Sequence, residues 1–278
     1  LNRPLPEQYI RYLCGLLHGD LGRSALSFRP VAEDLAIFFP ATLELVLVAI
    51  VVCATAGVLL GMVSATHRGH ALDKLAQAAC LTGMAIPRFW LAIVFQIVFF
   101  SFLAWFPPVG RLSMDLTPPP HFTGLYVVDS LIVGDWQTML DALWHVTLPA
   151  LTLAIGSIAN IARITRVSFV QTLQEDYVRT ARAKGLGERV VLRRHVFKNA
   201  AVPIVTIIGL QTGWLFSGAV LVEVVFGWPG IGKYAVNSIA NLDYPPIMGI
   251  TLFVAMLFVL INLVVDMIYL LLDPRIKF

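Results

Sequence analysis

The side chains that could do chemistry in this chain stand inside or beside long apolar runs. They are Glu44, Gln96, Asn160, Arg163, Arg166, Gln211, Glu223, Asn262 and Asp266. Ionisable groups at membrane depth are costly, so they turn toward a bundle interior or a wet cavity. Their spacing matches no bond-making constellation: the sequence has no His-Glu-x-x-His and no Gly-x-Ser-x-Gly, and no catalytic residue is assigned. A nucleotide-binding Gly-x-x-x-x-Gly-Lys-Ser/Thr is absent too. Cys14, Cys53 and Cys80 lack metal-ligand spacing and read as packing residues, so neither a metal site nor a disulfide is expected.

The elements that position these groups follow from composition. The chain is 58% hydrophobic and 13% charged, with a mean hydropathy of +0.80. Soluble domains carry roughly twice that charged share, so the expectation is an all-α, polytopic helical membrane protein. A spanning helix needs about 20 mostly apolar residues. Five segments qualify, at 42–66, 89–106, 146–170, 201–225 and 247–272. The run 72–86, cut off by Pro87-Arg88, reads as a shorter helix that enters the membrane or lies beside it.

Loop charges orient the spans. Basic residues cluster at Arg68 and Lys74, through 171–199 and at Arg275 and Lys277, whereas the loop 107–141 holds Arg111 against Asp115, Asp129, Asp135 and Asp141. Basic loops stay in the cytoplasm, so the acidic loop lies outside. Residues 1–41 then form an external segment, which implies six spans in all with the first preceding residue 1. Residues 42–278 form the transmembrane domain, with a cytoplasmic loop at 171–199 and an external re-entrant loop at 225–246.

The cytoplasmic loop predicts two helices. The first runs to Lys184 and stops at Gly185, a residue suited to a left-handed turn. The second opens with Glu188, where a negative charge is favoured, and runs to about Asn199, with Pro203 opening the next span. Arg189 and Arg193 share a face of it, giving a short basic amphipathic helix parallel to the membrane. The residues leave two readings: a helix resting on anionic headgroups, or a docking helix for a cytoplasmic partner.

The stretch Arg179-Thr180-Ala181-Arg182-Ala183-Lys184-Gly185-Leu186 resembles the signature loop of ABC importer permeases, in the dipeptide/oligopeptide/nickel branch of the type I fold. Arg179-Thr180-Ala181 replaces the usual Glu-Ala-Ala, Gly185 lies farther from Pro203 than in sugar importers, and Ala200-Ala201-Val202 replaces the usual Ile and Leu. These departures are typical of that branch. Further likeness runs through Gly19-Asp20-Leu21-Gly22, Phe39–Glu44, Pro87-Arg88-Phe89-Trp90, Leu148–Leu153, Val225-Phe226-Gly227-Trp228-Pro229-Gly230-Ile231-Gly232 and Asp273-Pro274-Arg275-Ile276.

The resemblance implies a permease subunit forming half of a pathway for di- or oligopeptides. Its implied partners are a homologous second permease, two cytoplasmic ATPases holding ATP and magnesium, an external solute-binding protein and membrane lipid; nucleic acid is not among them. The ATPases would dock on the loop through Arg179, Thr180, Ala181, Lys184, Gly185, Leu186, Gly187, Glu188, Arg189 and Arg193. Glu223 and the Phe226–Gly230 turn would serve an outer gate, as a scoop-like plug or as an interfacial loop anchored by Trp228. Gln96 and Gln211 are the candidates for lining the pathway. Arg163 and Arg166 read as snorkelling to the cytoplasmic face, Glu44 as an outer-interface residue, and Asn262 with Asp266 as interhelical bonding groups. A nickel, glutathione or other small-solute importer of the same branch is the alternative. An ATPase-independent channel or secondary transporter is more remote.

Overall fold

In the computed structural model, residues 4–272 are described, apart from the side chains of Leu5, Arg11, Asp266 and residues 268–272. The Asp273–Ile276 ending and the Asp266 partnership therefore lie outside the described residues. The chain forms α1 (Leu5–Leu17), α2 (Val31–Thr66), α3 (Ala71–Ala85), α4 (Arg88–Phe95, continued as a π-helix over Gln96–Phe102), α5 (Tyr126–Val133) and α6 (Trp136–Leu173). It continues with α7 (Asp176–Ala183), α8 (Glu188–Val190, continued as a π-helix over Val191–Phe197), α9 (Lys198–Val225), α10 (Ile231–Ala240) and α11 (Tyr244–Leu272).

Four helices are long and apolar enough to cross a membrane, and five crossings result if α3 and α4 count as one bent span. That span is bent by 102° between its two halves. Pro87 causes the bend, since it offers no N–H and disfavours a helical residue before it. The pair nevertheless climbs the full height of α6. Asp73 meets Arg166, Gly83 packs on Ile155, and Phe106 beyond the π-helix stacks on Trp144. At 1.5 Å per residue, those steps along α6 cover about 33 Å, one hydrocarbon thickness. The short helix and the second expected span are thus two limbs of a single crossing.

Two boundaries differ from expectation. The division placed after residue 41 falls inside α2, which starts at Val31. Val31 and Leu35 are buried against Ile231 and Ile250 and Asp34 beside Tyr234, so protein covers one face of this part of the helix, while Ala36 and Ile37 on the other stay exposed. The second cytoplasmic helix is not a separate element parallel to the membrane. Glu188–Val225 runs as one helical rod of 38 residues. Pro203 does not open the span, because the helix is already established before it. In the widened turn preceding it, Asn199 Nδ2 donates to the His195 carbonyl at 2.7 Å.

The core is stacked in three tiers. The central one joins Leu45, Val46, Ala49, Leu153, Ile161, Leu215 and Trp228. The cytoplasmic tier gathers Phe169, Val178, Val191 and Ile204, and the outer one Val31, Leu35, Ile231 and Ile250. The tightest helix contact is α2 on α6. A Cβ on Gly57 would lie 2.8 Å from Ile161 Cβ, and one on Gly61 would lie 2.6 Å from the Ala162 carbonyl oxygen. Small residues four apart allow this backbone approach where no hydrophobic effect drives helices together.

Candidate coupling surface and outer latch

At the cytoplasmic end, α7 is pinned by two side chains. Val178 and Ala181 are buried among Phe169, Val191, Val196 and Ala200, while Arg179, Thr180, Arg182 and Lys184 face outward. Gly185 closes the helix with φ +75°, a left-handed conformation costly for any residue with a Cβ. Its N–H bonds the Arg182 carbonyl at 2.9 Å. Gly187 stands before α8, whose Glu188 receives both Arg182 nitrogens at 2.6 and 3.1 Å. The Arg182 guanidinium holds the Glu188 carboxyl below its ordinary range. The pair is exposed, and bridges the two helices across the turn. Leu186, Val190, Arg189 and Arg193 stay exposed beside it. Nine of the ten residues expected from the sequence are exposed at this end, on α7, its closing turn and the foot of the rod, whereas Ala181 packs inward and anchors α7 instead of offering a contact.

A second cytoplasmic cluster escaped the sequence reading. Asp73, buried, takes Arg166 Nε and Nη2 at 2.7 and 2.8 Å, Ser64 Oγ at 2.6 Å and the Gly69 N–H at 2.9 Å. Arg166 therefore turns into this pair instead of snorkelling, and Arg163 remains exposed.

The outer end is a network of buried polar bonds. Glu223 Oε1 accepts from Thr42 Oγ1 at 2.6 Å and its Oε2 from the Lys233 N–H at 3.0 Å. Thr42 Oγ1 in turn accepts from the Ile231 N–H at 2.9 Å. Glu223 and Trp228 are 0% exposed, so neither offers a surface. Trp228 Nε1 donates to the Ala41 carbonyl at 2.7 Å, and this burial replaces the interfacial anchor considered for it. Gly227 turns with φ +60°, Phe226 and Gly230 are buried, and Pro229 is exposed. The turn then feeds α10, which leads back against α9 and α2.

Arg111, the basic residue of the acidic outer loop, clamps the same region. Its Nη2 donates to Glu44 Oε2 at 2.6 Å and to the Gly124 carbonyl at 2.9 Å, and its guanidinium lies 3.7 Å above the Tyr126 ring. Glu44 Oε1 accepts the Val127 N–H at 2.8 Å. Asp129, Asp135 and Asp141 bond Thr123, Thr138 and Ser113. The acidic residues that oriented the chain are thus largely committed to loop structure. Gln96 Nε2 donates to the Pro108 carbonyl at 2.8 Å, and Gln211 is buried on α9; the two stand on different spans and are not brought together.

A pH-sensitive staple ties residues 23–30 to the loop before α11. Asp243 accepts from Ser24 Oγ at 2.6 Å and from the Ala25 and Leu26 N–H groups at 3.1 and 3.3 Å. Burial pushes its carboxyl up, but the combined hydrogen bonds from Ser24, Ala25 and Leu26 outweigh it and the net shift is downward. A depressed folded pKa stabilises above the unfolded value and is lost as pH falls through the folded one. Hydrogen-exchange protection at the Ala25 and Leu26 amides, taken relative to the intrinsic exchange rate at each pH, is expected to be full at neutral pH and to fall progressively below about pH 4. Protection that stays flat from pH 7 to about 2 would show that Asp243 does not hold the loop.

Four long apolar helices and one bent pair, tied by buried polar bonds at the outer end and with α7 pinned at the cytoplasmic foot, make a polytopic helical membrane protein. Residues 57–278 match the family described as "Binding-protein-dependent transport system inner membrane component", and the chain belongs to that family. It is 45% identical over 276 residues to the probable D,D-dipeptide transport system permease protein DdpB of Escherichia coli, covering 99% of this chain and 81% of that one. The dipeptide transport system permease protein DppB of Alkalihalophilus pseudofirmus is 42% identical, with 100% and 83% covered. The glutathione transport system permease protein GsiC of Pectobacterium atrosepticum is 37% identical, with 100% and 81% covered. The fold is shared with the MetNI methionine ABC transporter in inward-facing form, at TM-score 0.61 and 14% identity over 86% of this chain and 96% of that one. The chain is an inner-membrane permease component of a binding-protein-dependent transport system.

Proposed function

We propose that this permease forms half of an import pathway for dipeptides and short oligopeptides. In this reading a second permease completes the pathway, an external binding protein delivers the peptide, and two cytoplasmic ATPases hold ATP and magnesium. The relatives named for dipeptide transport support the substrate class. Glutathione is the second reading, supported by the likeness to GsiC.

The observation that carries the coupling assignment is the length of the rod. Its 38 residues make about 57 Å, whereas a bilayer with its headgroups is about 40–45 Å thick. With its top in the outer latch, its foot stands about 12 Å or more beyond the headgroups. A surface held there, with α7 pinned beside it, suits a protein partner better than a lipid one. ATP-driven movement would enter through Arg179, Lys184, Gly185 and Arg189 and travel up the rod.

Replacing Gly185 with valine forces a β-branched residue to φ +75°, at about 1–3 kcal/mol. Exchanging Arg189 and Arg193 for glutamate reverses the charge of the foot. Both variants are expected to insert normally, to lose co-purification with the ATPases and to reduce dipeptide uptake at least ~10-fold. Undiminished co-purification and uptake would sink the docking assignment.

A further inference from the structure

At the elbow between α3 and α4 a single arginine stands in the middle of the membrane. Arg88 opens α4 and lies against Gly218 of α9, where a Cβ would collide with its Nη1. That same Cβ would lie 3.3 Å from Leu153 Cδ1, which places the guanidinium level with Leu153 of α6. Counting along α6, this is about 20 Å above the Arg166–Asp73 layer and about 14 Å below Trp144. Neither interface is within easy reach of the side chain.

The charge is poorly matched inside the chain. Its one hydrogen bond among the described residues goes to the Trp214 carbonyl, at a long 3.4 Å. No described carboxylate pairs with it, although Asp34, Glu44 and Asp73 each have an arginine. A cation at this depth facing lipid is strongly unfavourable, so its face must meet water, protein or a counter-charge. Arg88 lines a half-open cavity of about 160 Å³ with Gly83, Thr152, Gly156 and Asn160. That volume holds roughly five waters, or the end of one amino-acid residue. The groove between α9 and α11 offers the hydroxyls of Ser217 and Thr251 among apolar neighbours, whereas this cavity has a guanidinium and the Asn160 amide in its wall. The free N–H groups of the first turn of α4 add to the attraction for an anion.

We infer that Arg88 is the anion-binding residue of the pathway, taking the terminal carboxylate of the peptide at mid-membrane. This rests on the peptide-import reading above. The elbow then has a purpose: it lifts a helix start and its charge off the membrane surface and sets both in the wall of the passage. Gly218 is the residue that lets the guanidinium reach across to α9.

The test uses the complete transporter in proteoliposomes, with its ATPases and binding protein. Uptake of a dipeptide is compared with that of the same dipeptide as its C-terminal amide, each bound to saturation by the binding protein. The wild type is expected to move the acid faster. Arg88→Gln is expected to cut acid uptake at least ~10-fold and amide uptake less than ~3-fold, and Arg88→Lys to recover most of the acid rate. A second pair of variants keeps Arg88 in place. A Cβ on Gly156 would meet nothing closer than the Gly83 carbonyl oxygen at 3.9 Å, so the site accepts a side chain. Gly156→Asp is expected to neutralise Arg88 internally and bring the acid-to-amide rate ratio close to one, while the isosteric Gly156→Asn, which crowds the cavity equally, is expected to slow both substrates and keep the ratio. Equal loss of acid and amide uptake in Arg88→Gln would assign the arginine to packing or to a carboxylate of the second permease, and overturn the inference. So would identical behaviour of the two Gly156 variants. A wild type that moves acid and amide alike, with Arg88→Gln unchanged, would remove the Arg88 assignment alone. A wild type that moves neither would remove the peptide reading and this inference with it.

Discussion

Arg111→Gln is expected to lower the unfolding temperature of the purified permease by about 10 °C, the shift that a loss of about 3–5 kcal/mol gives in a chain of this size. The side chains of Arg111 and Glu44 are 7% and 5% exposed and 2.6 Å apart. Removing one partner of such a pair leaves the other charged, buried and short of a hydrogen bond. Glutamine also cannot span from Glu44 to the Gly124 carbonyl while covering the Tyr126 ring, so the cation–π contact goes as well. The double variant Glu44→Gln with Arg111→Met should regain much of the loss, because an uncharged replacement of both members carries no orphaned charge. A single variant that melts within 2 °C of wild type would show that the loop does not depend on this pair.

The second large effect is expected at Gly230. An alanine Cβ there would overlap both Glu223 Oε1 and Thr42 Oγ1. Neither atom can retreat freely, since they are bonded to each other and Glu223 is fully buried. Either the Thr42–Glu223 bond opens and strands a buried carboxylate, or the turn lifts and withdraws the Ile231 and Lys233 N–H groups. Stranding a buried hydrogen-bond acceptor costs about 1–3 kcal/mol. Limited proteolysis should then cut within residues 226–241, and detergent-stable protein should fall several-fold. Gly187→Ala is the control, because its Cβ would meet nothing within 4 Å. Equal protease resistance in Gly230→Ala and Gly187→Ala would refute the latch.

Much of this organisation was legible in the residues, and what was not shares a physical cause. Spans declare themselves through hydropathy, since lipid imposes one rule on about 20 consecutive residues. Pro87 marked the break in the first hairpin, although periodicity alone left open whether the limb before it crossed the membrane. The start of α2 was misplaced because its first turns carry Glu33 and Asp34 and bury only one face, with Val31 and Leu35, against protein, so they lack the uninterrupted apolar run by which hydropathy marks a span. The rod was cut at Pro203 because propensity treats a proline as a helix opener, whereas the preceding helix was already formed. The polar locks were the least visible. Thr42 and Glu223, Glu44 and Arg111, and Asp73 and Arg166 are each separated by dozens of residues or more, and no local pattern links them. One hint was present: a lone arginine among four aspartates in the outer loop needs a reason, and Glu44 supplies it. The interval Gly57-Val58-Leu59-Leu60-Gly61 was equally readable as a close-packing motif.

That glycine pair bears on how the molecule changes shape. With Gly57 and Gly61 set into the backbone of α6, sliding α2 along α6 would drive Cα atoms and carbonyl oxygens through one another. α2 and α6 therefore have a single set of rigid-body coordinates. Any difference between inward-open and outward-open forms must be taken up at joints elsewhere, and the described residues provide three: the elbow at Ile86–Arg88 and the π-helical turns at Gln96–Phe102 and Val191–Phe197. In mechanical terms α2 and α6 are the frame, and the rod and the bent span are the moving parts hung on it.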